Sequence, residues 1–264
     1  MSFSVDLLPA FADNYIYLVS DNDIGLAMVV DPGDADVVER ELKKKDLHLS
    51  LILNTHHHKD HVGGSEKLQK LYGCAIIGPT KERNRITNMS RTVGQGDSVT
   101  FSTLRGKVIE THGHTAGHIA FYFPEIKALF CGDTLFSLGC GRLFEGTAAE
   151  MWHSLKALRA LPDDTLIYCG HEYTEANAKF ALALDKNNVA LQARAQQVHE
   201  LRKQGKPTLP SVMAMEKQTN PFLRVDLPEF HQALAKSGLP LQGTDPAALF
   251  GTIRSAKDRF GTNN

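Results

Sequence analysis

The chain has 264 residues with 29 basic and 30 acidic side chains, a net charge of −1. That length allows one large core plus a smaller one, and the near-neutral balance provides no global field to recruit nucleic acid. No apolar run approaches the roughly 20 residues of a membrane span, and Met1 to Asp6 lacks a basic stretch followed by an apolar one, so we expect a cytoplasmic protein with no membrane partner. A monomer is the expected state.

Between Val5 and about Tyr173, short runs rich in Val, Ile, Leu, Phe and Tyr alternate with glycine turns. Ile16 to Val19, Leu26 to Val30, Leu51 to Leu53, Val99 to Phe101 and Ile119 to Phe123 read as strands. Helical stretches intervene from Ala35 to Lys44 and from Ser65 to Leu71. The mixed signs of Glu39 to Lys45 mark a solvated helix face and not a nucleic-acid patch. After Tyr173 the pattern turns helical. Leu191, Ala195, Val198 and Leu201 keep helical spacing, Pro207, Pro210 and Pro221 punctuate the loops, and Thr244-Asp245-Pro246 reads as a helix start with proline in the first turn. The mixture predicts an α/β sandwich, two sheets covered by helices, over residues 1–173 and a helical domain over 174–264. Cys74, Cys131, Cys140 and Cys169 are scattered, which predicts free thiols.

Chemistry concentrates in Thr55-His56-His57-His58-Lys59-Asp60-His61, directly after the apolar run Leu51 to Leu53. In a locally extended chain His56 and His58 share a face and can grip one ion. Asp60 and His61, at the turn marked by Gly63-Gly64, are placed to reach a second ion. Imidazole and carboxylate donors without a thiolate suit zinc, iron(II) or manganese and leave coordination positions for water. Three later segments repeat the pattern of a ligand at a strand end or glycine turn: Thr111 to His118, Phe130 to Thr134, and Leu166 to Glu172. Together they imply that several strands finish at one sheet edge and pool their ligands there.

His56-x-His58-x-Asp60-His61, followed by Gly113-His114-Thr115, Gly132-Asp133-Thr134 and Gly170-His171, resembles the metallo-β-lactamase superfamily of binuclear hydrolases. The likeness continues through Asp13-Asn14-Tyr15 and Asp31-Pro32-Gly33. The segments Gly139 to Gly146, Cys169 to Thr174 and Asn220 to Arg224 narrow it to the glyoxalase II (hydroxyacylglutathione hydrolase) family.

That resemblance implies a metallo-β-lactamase-type αββα sandwich over 1–173 and a C-terminal helical, glutathione-binding domain over 174–264. It implies two divalent ions per chain, zinc first with iron or manganese as alternatives. His56, His58 and His114 would hold one ion, Asp60, His61 and His171 the other, with Asp133 bridging. Asp60 and Asp133 would orient a metal-bridged hydroxide that attacks the thioester of S-(2-hydroxyacyl)glutathione, typically S-D-lactoylglutathione, releasing a hydroxy acid and glutathione as the second step of methylglyoxal detoxification. The family's contacts to this small-molecule substrate correspond to Arg142, the Phe144 position, Tyr173, Arg254 and Lys257. Some family members carry tyrosine where this chain has Phe144, and lysine where it has Arg142. His57, His112 and His118 stay unassigned, with His118 expected to pack against or support a ligand.

Overall fold

The alternating apolar runs form two sheets in a computed structural model that describes residues 2–239, 243 and 245–260. The chain divides into one unit of Met1–Glu110 with Ala116–Gly132 and another of Thr111–Thr115 with Asp133–Asn264.

In the first unit, β1 (Phe3–Ala10), β2 (Asn14–Asp21) and β3 (Leu26–Val30) form an antiparallel meander. Helix α1 (Ala35–Lys45) then carries the chain to β4 (His48–Leu53), parallel to β3. A helical turn α2 (Lys59–Val62) and helix α3 (Ser65–Tyr72) lead to β5 (Ala75–Pro79), and β6 (Arg91–Val93) completes a six-stranded sheet in sequential order. Strands β7 (Ser98–Phe101), β8 (Leu104–Glu110), β9 (Ile119–Phe123) and β10 (Ala128–Gly132) make a consecutive antiparallel ladder.

Strand alternation assigns the faces. Ile16 and Leu18 of β2 join Ala27, Val29 and Ile52 in a core covered by Val38 and Leu42 of α1 and Leu68 of α3. Tyr17, between them, points the other way and meets Phe130 of β10 with ring centroids 5.7 Å apart. Each of these large side chains contributes about 1.5–3 kcal/mol through burial. Asp34 caps α1 by accepting from the amides of Asp36 and Val37, and the left-handed Asp46 caps its end, so that the last helical residue, Lys45, lies one beyond the expected Lys44. Asp60 and His61 lie on helical α2 and not in an open turn, because the amides of His61 and Val62 both donate to the His58 carbonyl.

The second unit opens with the ribbon β11 (Leu135–Phe136) and β12 (Gly139–Cys140). Helix α4 (Ala148–Arg159) follows, started by a reciprocal capping box between Thr147 and Glu150. Strand β13 (Leu166–Cys169) leads into α5 (Thr174–Leu184) and α6 (Val189–Lys203). The short β14 (Ser211–Val212), which pairs antiparallel with β13, interrupts the helical region before α7 (Met213–Thr219), α8 (Pro228–Lys236) and α9 (Pro246–Arg259). Asp245 caps α9 with Pro246 in its first turn; Thr244 lies outside the described residues.

Leu191 and Val198 are buried as their spacing predicts, and Arg194 on the same face donates to the Thr208 carbonyl at 3.1 Å. The buried Glu216 carboxylate accepts from Ser137 Oγ at 2.8 Å, the Leu138 amide at 2.7 Å and Asn220 Nδ2 at 3.0 Å, and also engages Ser211. It thereby secures the β11–β12 turn, where Leu138 adopts a left-handed φ of 58°. Among the described residues no helix is long and apolar enough to cross a membrane. All four cysteines are buried free thiols.

Candidate metal centre

Strands β3 and β4 are parallel neighbours, and each delivers a functional segment at its carboxyl end. Asp31 follows β3 with a left-handed φ of 50°. Its carboxylate explains the conformation: Oδ1 accepts from the Thr55 amide at 2.7 Å, and Oδ2 accepts from Thr55 Oγ1 at 2.6 Å and faces His61 Nδ1 at 3.1 Å. These bonds determine the histidine tautomers. Because Thr55 Oγ1 spends its proton on Asp31, it accepts from His56 Nδ1, 3.0 Å away. His61 Nδ1 likewise donates to Asp31. Both rings therefore carry their lone pair on Nε2, the arrangement in which a carboxylate orients metal-binding imidazoles.

Around them, the His58 ring lies 4.6 Å and the His61 ring 4.2 Å from His56, centroid to centroid. His61 Nε2 approaches Asp60 Oδ2 at 3.4 Å. With Nδ1 already donating, a positive partner, a second proton or a metal cation, belongs between these two atoms. Burial would raise the Asp60 carboxyl, but His61 and a 2.8 Å hydrogen bond from Asn14 Nδ2 outweigh it and hold the group well below the usual carboxylate range. Gly33 is required here, since a Cβ would fall 1.9 Å from the Asp60 carbonyl oxygen. His118, buried, stacks on His56 at 4.7 Å, and His57 Nδ1 pairs with the buried Glu82 at 2.9 Å.

The second unit repeats the logic with different parts. Asp133, just after β10, presents Oδ2 at 3.4 Å from His114 Nε2 and 3.3 Å from His171 Nε2. His114 Nδ1 lies 3.0 Å from the Arg142 carbonyl, which can only accept, so Nε2 again carries the lone pair and faces a carboxylate oxygen. Two electron-rich atoms at that separation fit a shared cation. His171, after β13, stacks on Tyr173 at 4.8 Å with 3° between the planes and takes the edge of Phe136. The His112 carbonyl accepts from Ser154 of α4 at 2.8 Å. These donor sets, nitrogen and carboxylate oxygen without sulfur, suit a divalent metal.

The residues expected to read substrate occupy contrasting environments. Phe144 is exposed and turns an edge to His114 at 5.2 Å. The Arg142 side chain is exposed and pairs with Asp258 at 3.7 Å. Arg254 is only 5% exposed; Nη1 donates to the Cys140 carbonyl at 2.8 Å, Nη2 to Asp258 at 3.1 Å, and the guanidinium lies 5.1 Å from the Phe222 ring. Lys257 is half-buried and donates to the Ala176 carbonyl at 3.0 Å, with its ammonium over Phe180 and Phe260. Burial, reinforced by the positive charges of Arg254 and Arg142, pushes its pKa down to about 8.

Asp31, Thr55, Asn14 and Gly141 were not singled out individually by the sequence. The signal for Asp31 was present in Asp31-Pro32-Gly33, a carboxylate at a strand end before a rigid turn.

Two family models match the chain: the metallo-β-lactamase superfamily over residues 11–171 and the hydroxyacylglutathione hydrolase C-terminus over residues 172–260. A hydroxyacylglutathione hydrolase from Rhodospirillum rubrum is 47% identical over 259 residues, covering 98% of this chain and 99% of that protein. One from Brucella anthropi is 50% identical over 249 residues, 94% of each. Among solved structures, ETHE1 from Myxococcus xanthus is similar with a TM-score of 0.65 and 26% identity, over 97% of this chain and 98% of that one. The BLEG-1 B3 metallo-β-lactamase shares the fold, with a TM-score of 0.65 at 23% identity over 83% of this chain and 99% of that one.

Proposed function

The chain belongs to the hydroxyacylglutathione hydrolase family of the metallo-β-lactamase superfamily, and from that premise we propose that it hydrolyses S-(2-hydroxyacyl)glutathione, S-D-lactoylglutathione in particular, to the hydroxy acid and glutathione. The observation that carries this reading is the carboxyl-terminal match over 172–260, which separates this family from others that share the metal motif. In this reading residues 1–173 are catalytic and 174–264 bind glutathione, as a cytoplasmic monomer.

His56, His58 and His114 would hold one divalent ion and Asp60, His61 and His171 a second, with Asp133 contributing a carboxylate to both. The imidazole polarity described above supports this set, and its borderline hardness favours zinc, with iron or manganese as alternatives. Bound at these donors, such ions lower the pKa of water toward neutrality and polarise the thioester carbonyl. Asp60 and Asp133 accept hydrogen bonds and orient the attacking oxygen. The thiol leaving group has a pKa of roughly 8.5, so departure as thiolate needs little proton assistance and no further acid from the chain. Glutathione carries two carboxylates, and Arg142, Arg254 and Lys257 supply positive charge to read them. Tyr173 and Phe144 offer flat apolar surface to the peptide.

Thiol release from S-D-lactoylglutathione tests this reading. Stoichiometric production of thiol and D-lactate is expected. Absence of hydrolysis by metal-loaded protein, with oxidation of glutathione persulfide to sulfite instead, would replace it with a persulfide dioxygenase.

A further inference from the structure

Residues Gly139 to Arg142 form a strap whose backbone is held along its length. The Gly139 carbonyl accepts from Asn220 Nδ2 at 2.9 Å, the Cys140 carbonyl from Arg254 Nη1 at 2.8 Å, and the Gly141 amide donates to the Thr134 carbonyl at 3.1 Å. The strap's last carbonyl, Arg142, is the acceptor that fixes the His114 tautomer. Gly141 backs two of this unit's three donors: a Cβ there would stand 1.9 Å from the Asp133 carbonyl oxygen and 3.2 Å from His114 Nδ1. Any shift of the strap therefore moves the acceptor and the wall against which His114 and Asp133 are set.

Arg254 is built to prevent that shift. It is buried, and its two terminal nitrogens are committed to Cys140 and to Asp258, whose carboxylate also pairs with the Arg142 side chain at 3.7 Å. Helix α9 thus grips the strap both through its backbone and through its exposed arginine. A planar fork suits this work, since one guanidinium can bind a carbonyl and a carboxylate together.

We infer that Arg254 is a positioning residue of the metal centre, acting through the 139–142 strap on His114 and Asp133, in addition to any charge it presents to substrate. The inference rests on the metal assignment above but not on the identity of the thioester.

The test is zinc release from the loaded full-length protein into excess chromophoric chelator, with KM and kcat measured in parallel. Arg254→Met keeps much of the volume and removes both hydrogen bonds. It is expected to release zinc about 10- to 100-fold faster than the unaltered protein, the loss typical when an outer partner of a metal ligand is removed. Lys257→Ala, one turn along the same helix, should raise KM and release zinc at the unaltered rate. Should Arg254→Met fail to fold, Asp258→Asn leaves the Cys140 bond in place and is expected to speed release several-fold. Wild-type release from Arg254→Met or from Asp258→Asn, with only KM raised, would overturn the inference. So would equal zinc loss from Lys257→Ala, which would mean that α9 merely stabilises the unit. Unaltered protein that never loads zinc would sink the metal assignment itself, a result distinct from either.

Discussion

The histidine loop at residues 56–61 and the trio His114, Asp133 and His171 present the same donor chemistry by opposite means. In the loop, the candidate donors fall within one short segment after β4, and a single carboxylate, Asp31, orients His56 through Thr55 and His61 directly. In the trio, the candidate donors come from three distant segments, and the acceptor that orients His114 is a backbone carbonyl, Arg142, that is itself held by the strap and α9. Local spacing builds the first half; tertiary packing builds the second. The loop should therefore be sensitive to one side chain, and the trio to lesions in elements that touch no ligand.

The largest expected effect is at the residue on which the trio converges. Asp133→Ala removes the oxygen facing both His114 and His171 and should lower kcat/KM by on the order of 10³-fold, equivalent to several kcal/mol of lost Lewis-acid stabilisation. Steady-state kinetics at fixed metal content checks it, and activity within tenfold of the parent would break the comparison.

Asp31→Ala comes next. It withdraws the acceptor from His61 and from Thr55, and metal affinity should fall about 10- to 100-fold, read by chelator competition. Retention of parental affinity would show that the loop holds its imidazoles without Asp31.

Lys257 tests the substrate-reading side. Its lowered pKa of about 8 means the ammonium is present below that pH and lost above it. KM for a carboxylate-bearing substrate should rise several-fold between about pH 7 and 9.5, and the limb should vanish in Lys257→Ala. The stability linkage has the opposite sign. The unfolded side chain, with its ordinary pKa near 10.5, binds more protons than the folded one between about 8 and 10.5, so this group makes folding more favourable as pH rises through that window.

The smallest effect belongs to Phe144→Tyr. One added hydroxyl at an exposed ring should lower KM by about 2- to 10-fold, the worth of a single hydrogen bond. An unchanged KM would mean that the ring does not meet the peptide.

How legible each half was follows from the same contrast. The strand before the histidine loop, helices α1 and α3, and the adjacency of His56 and His58 could be read because apolar runs, caps and alternation are short-range signals. Helix α2 was missed, since a single turn of Lys59–Val62 has no periodicity to detect. Helix α4 was missed despite its Thr147 to Glu150 capping box, a signal the sequence does carry. Strand β14 has too few residues to alternate, and Glu216 looks like any helix-surface acid until Ser137, Leu138, Ser211 and Asn220 converge on it. The spacing of three predicts that Arg254 and Lys257 can face one ligand, but it carries no sign of the bonds from Arg254 to Cys140 and Asp258 or from Lys257 to Ala176, which form only across the folded chain.

The most direct test of the account is zinc titration of metal-free protein, counting ions bound by elemental analysis while following S-D-lactoylglutathione hydrolysis. Two ions per chain, with thiol release restored as they bind, is the predicted result. Full hydrolysis by protein stripped of metal, or protein that binds no zinc at any concentration, would contradict it.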